Sequence, residues 1–313
     1  MGTSQPSTPR AALHLVLDGM RRRGATAAQA PGGSPKRRVA VERSGVAVDP
    51  KRLQAFLKVT GGDAIPALVS DGAPLPPTVS SLWETALALE LLGAAGIGMP
   101  RGGLIHLESE SIPIRPMHPS DRFRSRVEMD RVEAHPRGRR LVLKSRCWNA
   151  AGQLCGENTV GLLARDAVMA SRDMSVERPA GTTASLASTA AWRTVREWSI
   201  PGNLGRRYAR VSGDFNPIHL WPWSARLMGF RSPVLHGFCI EGIIAHTLVA
   251  EVLGGDPGAL RRLEIAFRSP LFLPARVRLL VAESDSCGRA FHLLDATNPQ
   301  SRPYAEGRFV GSL

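Results

Sequence analysis

The sequence predicts an α+β protein built from two similar units, each with a sheet curved around one long helix. Each half contains a largely apolar stretch of helical length, residues 82–92 and residues 238–253, ended by glycines. Alternating or β-branched apolar stretches follow both, which is typical of antiparallel strands packed on one face. Because a helix that is apolar nearly all round must be covered on most sides, we expect the strands to wrap it.

Short matches between the two halves recur at a near-constant spacing. Residues 116–124 correspond to residues 270–278 at an offset of 154, and residues 138–161 to residues 288–311 at an offset of 150. This indicates a duplicated unit of about 130 residues, an ordinary domain size. We place the first unit at 41–165 and the second at 196–313. Residues 166–195, rich in Ser, Thr, Ala and Arg, are the expected linker.

Residues 1–40 are expected to be a flexible basic extension. They are rich in Ser, Thr, Pro, Gly and Arg, and only residues 13–20 show an apolar face. An Arg-rich, acid-poor start is also a feature of organelle transit peptides. A cytoplasmic protein is therefore the expectation, with an organelle as the alternative.

Composition and charge argue against several classes of protein. The 313 residues include 40 basic and 27 acidic side chains, a net charge of +13, which first suggests an anionic partner. No helix-turn-helix or RNA-binding signature occurs, so we expect no nucleic-acid partner. No stretch approaches the roughly 20 apolar residues of a membrane span, so we expect no membrane partner. The four cysteines form no CxxC pair and lie at no zinc spacing from histidine, so we expect no metal.

The segment that carries chemistry precedes the second apolar helix. Asp214 and His219 are five residues apart, which would place them on different faces of a continuous helix. Pro217 disfavours such a helix, and glycine at 213 permits a tight turn, so carboxylate and imidazole can aim at one point. A carboxylate paired with histidine is a general acid/base unit for a water proton near neutral pH. Asn216 can fix the loop through its amide.

Gly237 opens the second apolar helix and supplies the third part of a site. The backbone N–H groups in the first turn of a helix are unpaired, and the helix dipole is positive there. A thioester oxygen fits such a position, where the donor would stabilise an enolate-like charge. The sequence therefore offers a base, an orienting group and an oxyanion donor. It offers no nucleophilic Ser or Cys beside a base.

This segment resembles the signature of the MaoC-like, or hydratase-2, enoyl-thioester hydratases of the hotdog fold. The matching residues are Tyr208, Ser212, Gly213, Asp214, Asn216, Pro217, Ile218, His219 and Ala225. The resemblance implies that Asp214 and His219 activate the water and that Gly237 donates to the oxyanion. It also implies a double hotdog, two hotdog units paired as a pseudo-dimer, with a degenerate first unit. The chain would then be a monomeric pseudo-dimer or a homodimer.

The first half departs from the family pattern, because no Asn-Pro-x-His follows Gly61-Gly62-Asp63. We therefore expect one active site per chain, with Asp63 and His106 dispensable for turnover. Residues 61–78, rich in Gly and Pro, are expected to pack loosely and to border an acyl tunnel. His236 is expected at the helix start. Trp221 and Trp223, which follow the motif, are assigned to the lining of an acyl pocket, with plain packing as the alternative. Arg206 and Arg207, which precede it, are assigned to a phosphate of CoA or of carrier-bound pantetheine, with a solvated face as the alternative.

The function implied by the resemblance is reversible dehydration of (R)-3-hydroxyacyl thioesters to trans-2-enoyl thioesters, a hydro-lyase activity without cofactor or metal. The substrate would be bound to CoA or to an acyl carrier protein. Two alternatives remain, a non-catalytic hotdog protein that binds acyl thioesters and a thioesterase of the same fold. The Asp214 and His219 pair favours hydration over both.

Overall fold

A computed structural model describes residues 39–97, 100, 103–165, 191–282, 288–298 and 300–312. The predicted extension, residues 1–40, therefore lies almost wholly outside the described residues. So does most of the predicted linker. Its last part, residues 192–195, forms the beginning of a strand, so the second unit starts earlier than residue 196.

The described part of the chain forms one antiparallel sheet of ten strands. Their bounds are β1 (Ala40–Val46), β2 (Leu104–Pro113), β3 (Phe123–His135), β4 (Gly138–Trp148), β5 (Leu154–Arg165), β6 (Trp192–Ile200), β7 (Leu260–Phe267), β8 (Ala275–Ala282), β9 (Arg289–Asp295) and β10 (Ala305–Gly311). The spatial order is β1-β3-β4-β5-β2-β7-β10-β9-β8-β6. The β2–β7 pair divides the sheet into two sets of five strands. Counted outward from that pair, the two sets have the same strand order. This symmetry confirms the predicted α+β fold of two similar units.

The helices repeat in the same way. They are α1 (Pro50–Thr60), α2 (Pro66–Val69), α3 (Ser81–Ala94), α4 (Leu204–Ser212), α5 (Pro222–Leu227) and α6 (Gly237–Glu251). The long central helices are α3 and α6, and residues 239–249 of α6 are all buried. In the first unit the helix continues through Gly93, the predicted stop, and ends at Ala94. Gly96 is the residue that adopts the left-handed conformation which closes such an end (φ 70°).

The two units share one interface through the middle of the sheet. Strands β2 and β7 pair antiparallel, with Ser109 opposite Ile265. From β2 the hydroxyl of Ser109 donates a hydrogen bond of 2.8 Å to Oε2 of Glu241 in α6. Burial raises the pKa of the Glu241 carboxyl to about 7. The first unit is thus bonded directly to the central helix of the second.

The segment of residues 61–78 is anchored in the core at several positions, so the expectation of loose packing is wrong for those positions. Ile65, Leu68 and Leu75 are buried in the main core. A Cβ added at Gly62 would lie 2.7 Å from Cε1 of His246, so an imidazole of α6 occupies the space next to this glycine. The two short helical turns bury Gly62 and Leu68, whereas Val69 is 55% exposed. No tunnel is needed to explain the composition of this segment.

Within the described residues no helix combines the length and apolarity of a membrane span. Three of the cysteines, Cys147, Cys155 and Cys239, are buried free thiols.

Candidate active site

The loop that follows α4 is shaped by local hydrogen bonds. Helix α4 ends at Ser212, and Gly213 adopts a left-handed conformation (φ 81°) with its N–H donating to the carbonyl of Ala209. The Ser212 hydroxyl donates to the carbonyl of Tyr208 (3.0 Å) and accepts from the N–H of Asp214 (3.1 Å). A side chain other than glycine at 213 would be strained by this backbone conformation. These contacts turn the chain so that Asp214 leaves the helix axis.

Asn216 stabilises the second half of the loop in the manner expected from sequence. Its N–H donates to Oδ1 of Asp214 (3.1 Å), and its own Oδ1 accepts from the N–H of Ile218 (3.4 Å). Pro217 then starts the short helical turn Pro217–His219. The Asn216 amide also donates across the unit boundary to the carbonyl of Leu104 in β2 (3.4 Å). The loop is therefore fixed both by itself and by the first unit.

His219 is buried in a defined tautomer. Its Nδ1 lies 2.6 Å from the carbonyl of Val234, which can only accept, so Nδ1 carries the proton and Nε2 keeps a free lone pair. Burial lowers the pKa of His219 below its ordinary value, an effect that the nearby Asp214 opposes. The imidazole is therefore neutral near pH 7. A ring nitrogen of His219 and a carboxylate oxygen of Asp214 lie within 4.8 Å of each other, as the motif predicts.

His236 takes a larger part in the site than its place at the helix start suggests. Its ring stacks on His219 at 3.7 Å between centroids, and its Nε2 donates to the backbone carbonyl of Asp214 (3.0 Å). Tyr208 packs against its other side, with ring centroids 5.0 Å apart. Burial and the neighbouring His219 lower the pKa of His236 to about 3. A neutral ring thus contacts both Asp214 and His219.

Gly237 is the first residue of α6, and His106 of the first unit packs directly on it. A Cβ at position 237 would lie 2.6 Å from Cγ and 2.8 Å from Cβ of His106. The His106 ring is held between Phe238 and Phe267, and its Nε2 donates to the carbonyl of Glu108 (3.1 Å). Burial lowers the pKa of His106 to about 4. A side chain at position 237 could be accommodated only if the His106 ring or the start of α6 moved.

Arg52 of the first unit also reaches the catalytic loop. From α1 its Nε donates to the carbonyl of Val211 (2.6 Å), and its Nη2 donates to the carbonyls of Leu82 and Ser212. Val211 and Ser212 are the last residues of α4, immediately before Gly213. One guanidinium therefore ties the start of the loop to α3. The first unit, predicted to be non-catalytic, therefore contacts the candidate site through Arg52, Leu104 and His106.

These contacts carry no local signature, because they join residues more than 100 positions apart. Only the duplication offers a signal. Arg52 lies 154 residues before Arg206, which is the offset of the two units.

The three side chains Asp214, His219 and His236 are a possible metal-ligand set by distance, since their ligand atoms lie within 4.8 Å. Their orientation does not suit an ion. The two imidazoles are stacked with only 24° between their planes, and a shared metal would have to lie in both planes. The stacked rings therefore serve proton chemistry better than coordination.

The four residues assigned to substrate contact lie on or near the surface. Trp221 is 45% exposed and Trp223 is 64% exposed. The Arg206 guanidinium stacks 4.0 Å above the Trp221 ring and donates to the carbonyl of Leu220 (3.1 Å). Arg207 lines a cavity of about 170 Å³ together with Lys58 and Arg196. Neither tryptophan forms the wall of a buried acyl pocket.

Comparison with known proteins places this geometry in context. Residues 186–297 match the family model described as MaoC like domain. A 3-hydroxyacyl-thioester dehydratase X of Mycobacterium tuberculosis is 27% identical over 254 residues, which are 80% of this chain and 82% of that protein. A peroxisomal enoyl-CoA hydratase 2 of Arabidopsis thaliana is 40% identical over 63 residues, 20% of each chain.

Solved structures show the same fold. The crystal structure of HtdX from Mycobacterium tuberculosis superposes with a TM-score of 0.67 at 23% identity, covering 87% of this chain and 100% of that one. A second protein of that organism, described as a double hotdog fold, gives a TM-score of 0.56 at 13% identity, covering 87% and 95%. The ten-stranded sheet with its two central helices is therefore a double hotdog.

Proposed function

Residues 186–297 belong to the MaoC-like domain family, and from this premise we propose that the protein is a hydro-lyase acting on 3-hydroxyacyl and trans-2-enoyl thioesters. The observation that carries the proposal is the convergence of Asp214 and His219 beside the first turn of α6. The pair supplies a base for water, and the helix end supplies donors for a developing oxyanion. The named relatives support the same reaction class.

In the hydration direction the catalytic pair activates water. A water molecule gives a proton to the Asp214 and His219 pair while its oxygen forms a bond to the β-carbon of the enoyl group. The electron pair of the double bond moves toward the thioester carbonyl and gives an enolate. N–H groups at the start of α6, with Gly237 first, stabilise the negative oxygen. The α-carbon then receives a proton, which gives the 3-hydroxyacyl thioester, and dehydration is the reverse.

The state of His219 supports this role. A base must be unprotonated before it accepts a proton, and burial keeps the pKa of His219 low. The Val234 carbonyl accepts a hydrogen bond from the Nδ1–H group, so Nε2 is the nitrogen available to the water. His236 restricts the ring by stacking. By analogy with hydratase 2 we propose the R configuration at the hydroxyl-bearing carbon.

Two other functions are less well supported. A thioesterase of the same fold is disfavoured because the Asn-Pro-x-His pattern is retained and brings His219 close to Asp214, a pair that favours hydration. A non-catalytic binding protein gains nothing from burying a neutral histidine with a free nitrogen, which costs desolvation energy. Hydration needs no electron transfer, so we propose no redox cofactor. The acyl carrier is CoA or a carrier protein.

A spectrophotometric assay tests the proposal. Purified protein should remove the conjugated double bond of trans-2-enoyl-CoA without releasing free CoA. Coupling the product to an R-specific or an S-specific 3-hydroxyacyl-CoA dehydrogenase reports its configuration. Release of CoA without loss of the double bond would favour the thioesterase. Binding of enoyl-CoA with neither loss of the double bond nor release of CoA would favour the non-catalytic protein.

A further inference from the structure

An exposed apolar surface adjoins the catalytic turn. Large apolar side chains are exposed at seven of the described positions, and four of these lie within thirteen residues of one another: Phe215, Trp221, Trp223 and Leu227. Leu227 is 71% exposed and Trp223 is 64% exposed. Clustered exposed apolar residues mark interaction sites, whereas single ones are ordinary. We call these four residues, with Arg206 and Arg226, the Trp-Arg surface.

The same stretch of chain is strongly cationic. Between residues 200 and 235 the only acidic residue is Asp214, which belongs to the catalytic pair. The basic residues there are all arginines, namely Arg206, Arg207, Arg210, Arg226 and Arg231. Arg210, Arg226 and Arg231 are exposed. A partner that binds here should therefore be acidic.

The Trp-Arg surface is attached to the catalytic turn by hydrogen bonds. The hydroxyl of Ser224 in α5 donates to the carbonyl of Pro217 (2.7 Å), the first residue of the turn that carries His219. Arg206 donates to the carbonyl of Leu220, the residue after His219. A molecule docked on α5 is thus held next to the catalytic pair.

We propose that the Trp-Arg surface docks an acyl carrier protein, an acidic protein that delivers the enoyl or 3-hydroxyacyl thioester on its prosthetic arm. This rests on the proposed function and names the form in which its substrate arrives. Tryptophan and arginine are the residues most enriched among those that dominate protein interfaces. Free CoA would pair its phosphates with arginines, but it would leave Leu227 and Phe215 uncovered. A second copy of this chain is disfavoured, because a two-fold contact would bring the arginines of both copies into one interface with few acidic residues to offset them.

The test compares one acyl group on two carriers. The substrates are trans-2-octenoyl-CoA and a trans-2-octenoyl group loaded on a purified bacterial acyl carrier protein. The variants are Arg226→Glu and Leu227→Ser in the last turn of α5, whose side chains point to solvent. The matched control is Arg193→Glu, a charge reversal at an exposed position of the edge strand β6.

We expect Arg226→Glu to lower kcat/KM for the carrier-bound substrate by about tenfold or more, with a change of about twofold or less for the CoA substrate. Leu227→Ser should act in the same direction, and Arg193→Glu should alter neither rate. Added salt should slow the wild-type reaction on the carrier-bound substrate more than on CoA.

Several results would overturn the docking proposal. Equal losses on both substrates would make this surface a site for the shared prosthetic arm, and no loss on either would remove it from substrate delivery. Sedimentation with anionic vesicles that Arg226→Glu abolishes, with unchanged carrier kinetics, would make it a membrane surface. Calorimetric titration with the acyl carrier protein gives the docking result independently of turnover. A wild type that binds the carrier protein but hydrates neither substrate would therefore contradict the proposed function alone.

Discussion

Replacing Gly237 by alanine tests whether the start of α6 acts as the oxyanion donor. The added Cβ would lie 2.6 Å from Cγ and 2.8 Å from Cβ of His106, whereas ordinary contacts are about 3.5 Å or longer. The helix start or the His106 ring must therefore move by about 1 Å. The ring has little room, because Phe238 and Phe267 lie against it at 4.7 Å between centroids.

A shift of this size at a reacting group costs about a hundredfold in rate, and loss of one oxyanion donor costs about a hundredfold to a thousandfold. We expect Gly237→Ala to lower kcat for enoyl-thioester hydration by about a hundredfold, with a smaller change in KM. Alanine has a higher helix propensity than glycine, so α6 itself should persist. Initial rates and a thermal melt of the same preparation separate the two effects.

Gly242→Ala is the matched control on the same helix. Its added Cβ would lie 2.7 Å from Cγ2 of Thr60, a comparable clash five residues further from the site. We expect it to lower the melting temperature while kcat stays within about threefold. The reasoning is refuted if Gly237→Ala keeps near-normal kcat, or if Gly242→Ala loses as much.

The remaining predictions concern the first unit and pH. Lysine at position 52 cannot reproduce the planar fork in which Nε and Nη2 donate to separate carbonyls, so we expect Arg52→Lys to lower kcat about tenfold with KM unchanged. Arg43→Lys, at an exposed ion pair with Glu90, should leave kcat and KM unchanged, and equal effects of the two changes would deny Arg52 a positioning role. Burial lowers the pKa of His246 to about 4, below its unfolded value of about 6.5, so its contribution to stability is present above pH 6.5 and is lost as pH falls. Urea titrations of the wild type and His246→Gln should therefore show that the wild type loses about 2 kcal/mol more of its unfolding free energy between pH 7 and pH 5. A difference in unfolding free energy between the two proteins that stays constant over this pH range would contradict the prediction.

The sequence predicts the fold well because each of its decisive features is local. A helix that is apolar nearly all round is predicted to be buried, and the recurrence of short motifs at a near-constant offset indicates the duplication. The catalytic loop is predictable for the same reason, since Gly213, Asn216 and Pro217 each direct the chain through contacts within a few residues. The proposed roles of Asp214 and His219 follow from that local geometry.

The remainder of the site depends on contacts between distant parts of the chain. Arg52 reaches carbonyls 159 and 160 residues away, and His106 meets Gly237 across the unit boundary. Neither arginine nor histidine shows a spacing that would reveal such a contact. The first unit is predicted to be non-catalytic because it lacks the motif, and that stays a prediction. Its strand β2 and helix α1 nevertheless contact the candidate loop and the start of α6.

The turnover of Asp214→Asn, His219→Ala and the double variant tests the central claim most directly. Each single change should lower kcat by at least about a hundredfold, the usual contribution of a positioned acid or base, while circular dichroism melts show a folded protein. The double variant should be hardly worse than either single variant, because the two groups act as a unit. Near-normal rates in both single variants would contradict the assignment of the site to this loop.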